Sequence, residues 1–207
     1  MNKILIQPPY FGDIAHYTAM AKSDEIYFES ADNFQKQTAR NRTHIMGANG
    51  KLMLNIPLKH SRGGDRQLTR DIRIENNFPW QDLHWKSLCS AYRSSPYFEF
   101  FEDDLQPLFI EKQVFLLDFN MKTILLMFDL IKIGNIETFH TDEYTMAPDG
   151  SYKDYRYLIQ SKKVKFKNEP YQQVFDKLEF LPNLCILDLL FNLGPQTKPY
   201  LLKQRSL

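Results

Sequence analysis

The sequence predicts a mixed α/β fold: an N-terminal β-loop-α-β unit and a β-hairpin, with a largely helical C-terminal half packed on the sheet. An α+β arrangement is the alternative. Three observations carry the prediction. An apolar run at residues 3–7 stops at a proline pair, an Asn-Gly bend separates two alternating segments, and from Pro79 onward apolar residues recur at helical spacing.

Residues 3–7 read as a short buried strand. Pro8 and Pro9 remove backbone donors and end its ladder, so Gln7-Pro8-Pro9-Tyr10-Phe11-Gly12 forms a rigid turn. An amphipathic helix over residues 14–21 leads to a second strand at residues 25–29. If the two strands are parallel, the turn lies at the carboxyl edge of the sheet, where open α/β sheets hold ligands.

The hairpin pairs residues 43–46 with 51–58 across Ala48-Asn49-Gly50. Leu52, Leu54 and Ile56 alternate along its second arm with Met53 and Asn55. Residues 59–68 are polar and glycine-bearing and are expected to be mobile. A short strand, Ile72-Arg73-Ile74, follows them.

Pro79 suits the first turn of a helix whose apolar stripe is Trp85, Leu88, Cys89 and Tyr92. Leu117, Met121, Ile124, Phe128 and Ile131 mark the next long helix. A turn at residues 147–151 precedes Lys163-Val164-Lys165-Phe166-Lys167, whose alternation reads as a strand with one lysine face. The final helix runs from about 184 to 193, introduced by Pro182-Asn183 and stopped by Gly194-Pro195.

With 207 residues, 43% of them hydrophobic, the chain is expected to form one domain over residues 1–207 with a sizeable core. Lys plus Arg (26) nearly balance Asp plus Glu (25), so no whole-molecule field draws it to nucleic acid or an anionic membrane. Cys89 and Cys185 sit in apolar helical patterns and are expected to be buried free thiols. No run is long enough for a signal peptide or a bilayer span, so the chain is expected to be soluble and to stay in the cytoplasm.

The densest polar cluster is residues 32–42. Lys36, Arg40 and Arg42 can form a phosphate or carboxylate site, Arg through paired hydrogen bonds and Lys as a point charge. A solvated connection with surface charges is the competing reading. His84 lies one position off the Trp85 stripe, where an imidazole can face a cleft as acid or base or serve structure alone.

Asp188 interrupts an apolar helix and needs a buried partner, a wet cavity or a solvent-facing position. Tyr171 and Gln173 offer a hydroxyl and an amide from a helix start. Lys163, Lys165 and Lys167 read as a solvated face and not as a nucleic-acid stripe, because stacking aromatics do not share it. His16, His44, His60 and His140 have no metal-ligand spacing, so no metal is expected. GxGxxG, GxxxxGK[ST], GxSxG and HExxH are all absent, and no motif names a cofactor.

Five segments in register resemble the WbqC-like family: Ile6-Gln7-Pro8-Pro9-Tyr10-Phe11, Lys36-Gln37-Thr38-Ala39-Arg40-Asn41-Arg42, the Asn49-Gly50 hairpin ending in Ile56-Pro57, Trp85 with Ala91-Tyr92 and Ser95-Pro96-Tyr97-Phe98, and residues 171–195. Gly12 and His16-Tyr17 depart from that pattern, in which a proline and an aromatic pair are more usual.

The resemblance implies a bacterial transferase of surface-polysaccharide (O-antigen) biosynthesis, moving an aminoacyl or acyl group to an amino sugar or nucleotide-sugar. It implies that Gln7, Tyr10, Lys36, Asn41, Arg42 and His84 line one site. Lys36 and Arg42 would hold a nucleotide-sugar or activated acyl donor, Gln7 and Asn41 would orient the acceptor, and His84 would be the base.

Tyr92, Tyr171, Gln173 and Asp188 complete the substrate-binding candidates. A non-catalytic module binding a sugar nucleotide or a partner enzyme is the alternative. A nucleotidyl-transfer or adenylate-forming site using Gln7, His16 and the basic cluster is a third reading, without a phosphate loop behind it.

Overall fold

A computed structural model describes residues 2–59, 67–134, 136–148, 150–160, 164–205 and 207. Most of the polar loop expected to be mobile, including His60, lies outside the described residues, as do Asp149 and Lys163.

The fold is α/β. Strand β1 (Lys3–Ile6) leads through the proline turn into helix α1 (Ile14–Ala21), which returns the chain to strand β2 (Glu25–Phe28). β1 and β2 are parallel, with Lys3 opposite Glu25 and Ile6 opposite Phe28. The Asp13 side chain caps α1 by accepting the His16 amide. The helix is buried all round at Ile14, Ala15, His16, Tyr17, Thr18, Ala19 and Met20, where an amphipathic one was expected. It is enclosed because the C-terminal helices cover the side that faces away from the sheet.

Strands β3 (Arg42–Gly47) and β4 (Gly50–Asn55) form a separate antiparallel hairpin. Gly47 and Gly50 close it around Ala48 and Asn49. Gly50 has φ of +100°, which supplies the backbone that the bend needs. Leu54 and Ile56 are buried. Leu52, on the same face but nearer the tip, is exposed because the core ends before it.

Helices α2 (Trp80–Tyr92), α3 (Phe98–Leu105), α4 (Pro107–Ile110) and α5 (Leu116–Ile131) follow, then strands β5 (Glu137–His140) and β6 (Lys153–Asp154), and helices α6 (Ile186–Leu193) and α7 (Thr197–Lys203). β5 adds parallel to β2 and β6 parallel to β1, giving an all-parallel sheet in the order β5-β2-β1-β6. One core cluster runs from Ile4 and Ile6 through Leu116 and Phe119 to Leu190 and Leu201. Among the described residues no helix is long and apolar enough to cross a membrane.

Several local expectations are corrected. Ile72 to Ile74 make only isolated bridges, Ile74 with Leu58 and Arg73 with Phe115, because the neighbouring backbone comes from irregular segments. Residues 164–170 are not a strand. Side chains fix this stretch, Asn168 donating to the Tyr200 hydroxyl at 2.7 Å and accepting the Asn183 amide at 2.7 Å.

Tyr171 and Gln173 lie in the same irregular stretch and not at a helix start. α6 is not the last helix, since α7 follows Gly194. The buried residues of α2 are Trp80, His84, Leu88, Ala91 and Tyr92, which puts His84 on the buried stripe. Both cysteines are free, Cys185 buried and Cys89 only half-buried.

Candidate functional site

At the carboxyl edge of the sheet, Gln7 leaves β1 and donates from Nε2 to Asp32 Oδ2 at 2.6 Å. Asp32 also accepts the Thr69 hydroxyl at 2.6 Å and forms an ion pair with the buried Arg40. Burial lowers the pKa of Arg40, and the Asp32 carboxylate opposes that effect. Gln7, Asp32, Phe34, Tyr144 and Met146 are walls of a cavity of about 490 Å³ at this edge.

A second concavity, of about 290 Å³, opens between the hairpin and the irregular C-terminal segment. Arg42 from β3, Lys51 from β4, and Lys165 and Lys167 from the irregular segment all line it. The Arg42 Nε donates to Asn55 Oδ1 at 3.0 Å. Among the described residues none of these four cations forms an ion pair, and four positive charges face one carboxylate, Asp13, across the cavity wall.

Asp13 is a carboxylate in that wall. Its oxygens meet His16 Nδ1 at 2.7 Å and the Asn183 side-chain amide at 3.1 Å. His44 lies in the same wall. Burial first, then the charges of Lys51 and Arg42, lower its pKa to about 4, so its imidazole is neutral at pH 7.

Tyr10 and His84 are brought together, but inside the core. The Tyr10 hydroxyl lies 2.9 Å from His84 Nδ1, and Trp80 and Phe119 pack around them. Burial lowers His84 to about 4, partly offset by a hydrogen bond to the Asn55 backbone. A neutral imidazole has one donor and one acceptor. The ring therefore donates to Asn55 and accepts from Tyr10, and both of its nitrogens are engaged.

The C-terminal candidates also converge. Asp188 is fully buried on α6, and its Oδ1 accepts the Tyr92 hydroxyl at 2.7 Å. Its Oδ2 accepts the Tyr171 hydroxyl and, at 3.1 Å, the Gln173 amide. Gln173 further ties residue 181, donating to its carbonyl and accepting its amide at 3.0 Å each. Burial raises the pKa of Asp188. These groups anchor the irregular segment that carries Lys165 and Lys167.

Gln7, Tyr10, Lys36, Asn41, Arg42 and His84 thus do not share one cavity. Gln7 and Arg42 line different cavities, Tyr10 and His84 are enclosed, and Lys36 is exposed on the turn before Arg40. Asn41 is buried and donates to Asn55 Oδ1 and to the Ile56 carbonyl, 3.2 Å each, binding the hairpin base. The cause lies in the backbone. In residues 39–42 the Ala39 and Asn41 main chain bonds Ile159 and Ile56, and Arg40 turns inward towards Asp32 while Arg42 turns to the hairpin side.

Sequence reasoning assigned no cavity role to Asp32, His44, Lys51 or Lys165. Only Asp32 left a signal, as the lone carboxylate of the basic segment. The other three become neighbours through folding alone. Among the described residues no group of three or more His, Cys, Asp and Glu side chains is placed to hold a metal ion.

The chain is similar to an uncharacterized protein of Mycobacterium tuberculosis, Rv1507c, which is 23% identical over 229 aligned positions that cover 97% of this chain and 98% of the relative. No solved structure matches at a significant level. Residues 7–151, which include the proline turn, the Asp32–Arg40 pair, the hairpin and α2, match the WbqC-like protein family, and the chain belongs to that family.

Proposed function

We propose that the protein is a cytoplasmic group transferase of bacterial surface-polysaccharide assembly that holds a phosphate-bearing donor in the cleft of Arg42, Lys51, Lys165 and Lys167. The observation that carries this reading is the meeting of four unpaired cations from three chain segments on one concave surface. Asp13 is the one carboxylate among the described wall residues, so the four like charges still repel one another, and an anion spanning them removes that cost. Arg42 offers a planar fork and the lysines are point charges, a set suited to two adjoining phosphates. The donor classes this favours are a nucleotide-sugar and an acyl group activated through a phosphate-bearing carrier.

In the transfer step the acceptor nitrogen or oxygen bonds to the donated carbon while the bond to the leaving group breaks. The acceptor proton passes to a base, and the cations hold the departing anion. His44 is the imidazole nearest this chemistry, and it is a weak base at a pKa of about 4. That observation favours the second reading, a module that binds the anionic ligand without turnover.

Isothermal titration with nucleotide-sugars and acyl-CoA tests the proposal. Arg42→Ala and Lys165→Ala are each expected to weaken binding by about tenfold, as for one charge-assisted contact, with affinity falling as salt rises. Lys36→Ala is expected to change nothing. If neither ligand class binds, or if Lys36→Ala weakens binding as much as Arg42→Ala, the cleft assignment is wrong. Product formation in a coupled assay separates the transferase from the binding module.

A further inference from the structure

The carboxyl-edge cavity beside Gln7 is separate from the basic cleft, and its chemistry is different. No cation is among its described wall residues, and the two guanidiniums near it are already paired, Arg40 with Asp32 behind the Phe34 ring, 5.9 Å from its centroid, and Arg156 with Asp154 and Glu29. An anion has nothing to recognise there.

The opposite wall is built from an irregular segment held with unusual care. Arg156 donates to the carbonyls of Thr145 at 2.7 Å and Met146 at 3.2 Å while bonding Asp154 through Nε and Nη2 and pairing with Glu29 at 3.3 Å. Its guanidinium also lies 5.3 Å from the Tyr144 ring centroid.

Arg156 therefore fixes the backbone of residues 145 and 146 and packs against the Tyr144 ring, in a stretch where Tyr144 and Met146 are 48% and 84% exposed. Arg156 also offsets the charge of the buried Glu29, so it serves the core and this segment together. In doing so it preorganises an aromatic and thioether wall facing Phe34.

Gln7 supplies the polar element. Its side chain is a wall of the cavity and the residue is 6% exposed. Nε2 is committed to Asp32, and among the described residues Oε1 has no hydrogen-bond partner. An unpaired buried carbonyl oxygen is costly until a donor reaches it.

We propose that this cavity is a second ligand site, for a small uncharged ring that turns an O–H or N–H towards Gln7 and an apolar face towards Phe34 and Tyr144. A volume of about 490 Å³ is sufficient for one such ring with substituents. A pyranose and a nucleobase share this chemistry, and the site stands on its own whether or not the basic cleft binds phosphate.

Saturation-transfer NMR on the full chain with methyl pyranosides in one arm and uncharged nucleosides in the other decides between the two sources. Signal is expected in one arm, with affinity about fivefold weaker or lost in Tyr144→Ala, an exposed change that leaves the fold intact, and in Gln7→Met. Arg42→Ala is expected to leave it unchanged. Silence in both arms, or signal of equal strength in Tyr144→Ala, overturns the proposal.

Discussion

Tyr92 on α2 donates a 2.7 Å hydrogen bond to Asp188 on α6, and the same Tyr92 hydroxyl accepts the Met46 amide of the hairpin at 3.0 Å. One phenol thus joins a helix, a hairpin and a buried carboxylate. Because Tyr171 and Gln173 bond the other oxygen of Asp188, the joint extends to the segment that forms one wall of the basic cleft.

Asp188→Ala is expected to cost about 2–4 kcal/mol, since it leaves buried hydroxyl and amide donors without their acceptor. Urea unfolding measures it. The same change is expected to weaken anion binding although the Asp188 carboxylate bonds none of the four cations, because it releases the anchor of Lys165 and Lys167. An Asp188→Ala protein with unaltered stability would refute the role given to the carboxylate.

The carboxyl of Asp188 also sets a pH dependence. Its pKa is raised in the folded protein, chiefly by burial, above an unfolded value of 3.8. The folded state holds the proton more tightly, so the group's contribution is complete below pH 3.8 and is lost as pH rises through the folded value. Relative to wild type, Asp188→Asn is expected to gain stability as pH is raised across that window. Parallel unfolding curves at all pH values would count against it.

His84 gives the opposite sign. Its folded pKa of about 4 lies below the unfolded 6.5, so the unfolded chain takes the proton first. Stability is full above pH 6.5 and falls by about 3 kcal/mol as pH drops through 4. His84→Gln is expected to flatten that part of the profile. Ring NMR of wild type should show His84 still neutral at pH 5.5, and titration near 6.5 would place it in solvent.

Gly194 ends α6 with φ of +49°, and a Cβ built there would come within 2.5 Å of the Tyr97 ring. Gly194→Ala combines backbone strain with overpacking and is expected to destabilise by about 2–3 kcal/mol. Paired with Tyr97→Ala, which removes the ring, the loss should shrink in a double-mutant cycle. Equal losses in both backgrounds would mean that the contact does not matter.

Local chemistry was sufficient to read much of the framework from the chain. Paired prolines end β1, Asn49-Gly50 bends the hairpin, Pro79 starts α2 and Gly194 stops α6, each through neighbours within a few residues. The helix between β1 and β2 left parallel pairing as a condition, and the structure meets it. The same locality explains the errors: a lysine alternation at residues 163–167 looks like a strand until a ladder partner is sought, and periodicity alone did not show that His84 shares the buried stripe with Leu88 and Tyr92.

By itself, then, the sequence determined the kind of fold, the family, and the polar residues worth watching. Tertiary structure alone decided which of them meet. Arg40 and Arg42 are two residues apart, yet one is buried against Asp32 and the other joins Lys51 and Lys165 across the chain. The physical reason is that turns and helix caps depend on near neighbours, whereas a charge finds its partner through the long-range closure of the chain, which residue spacing does not encode.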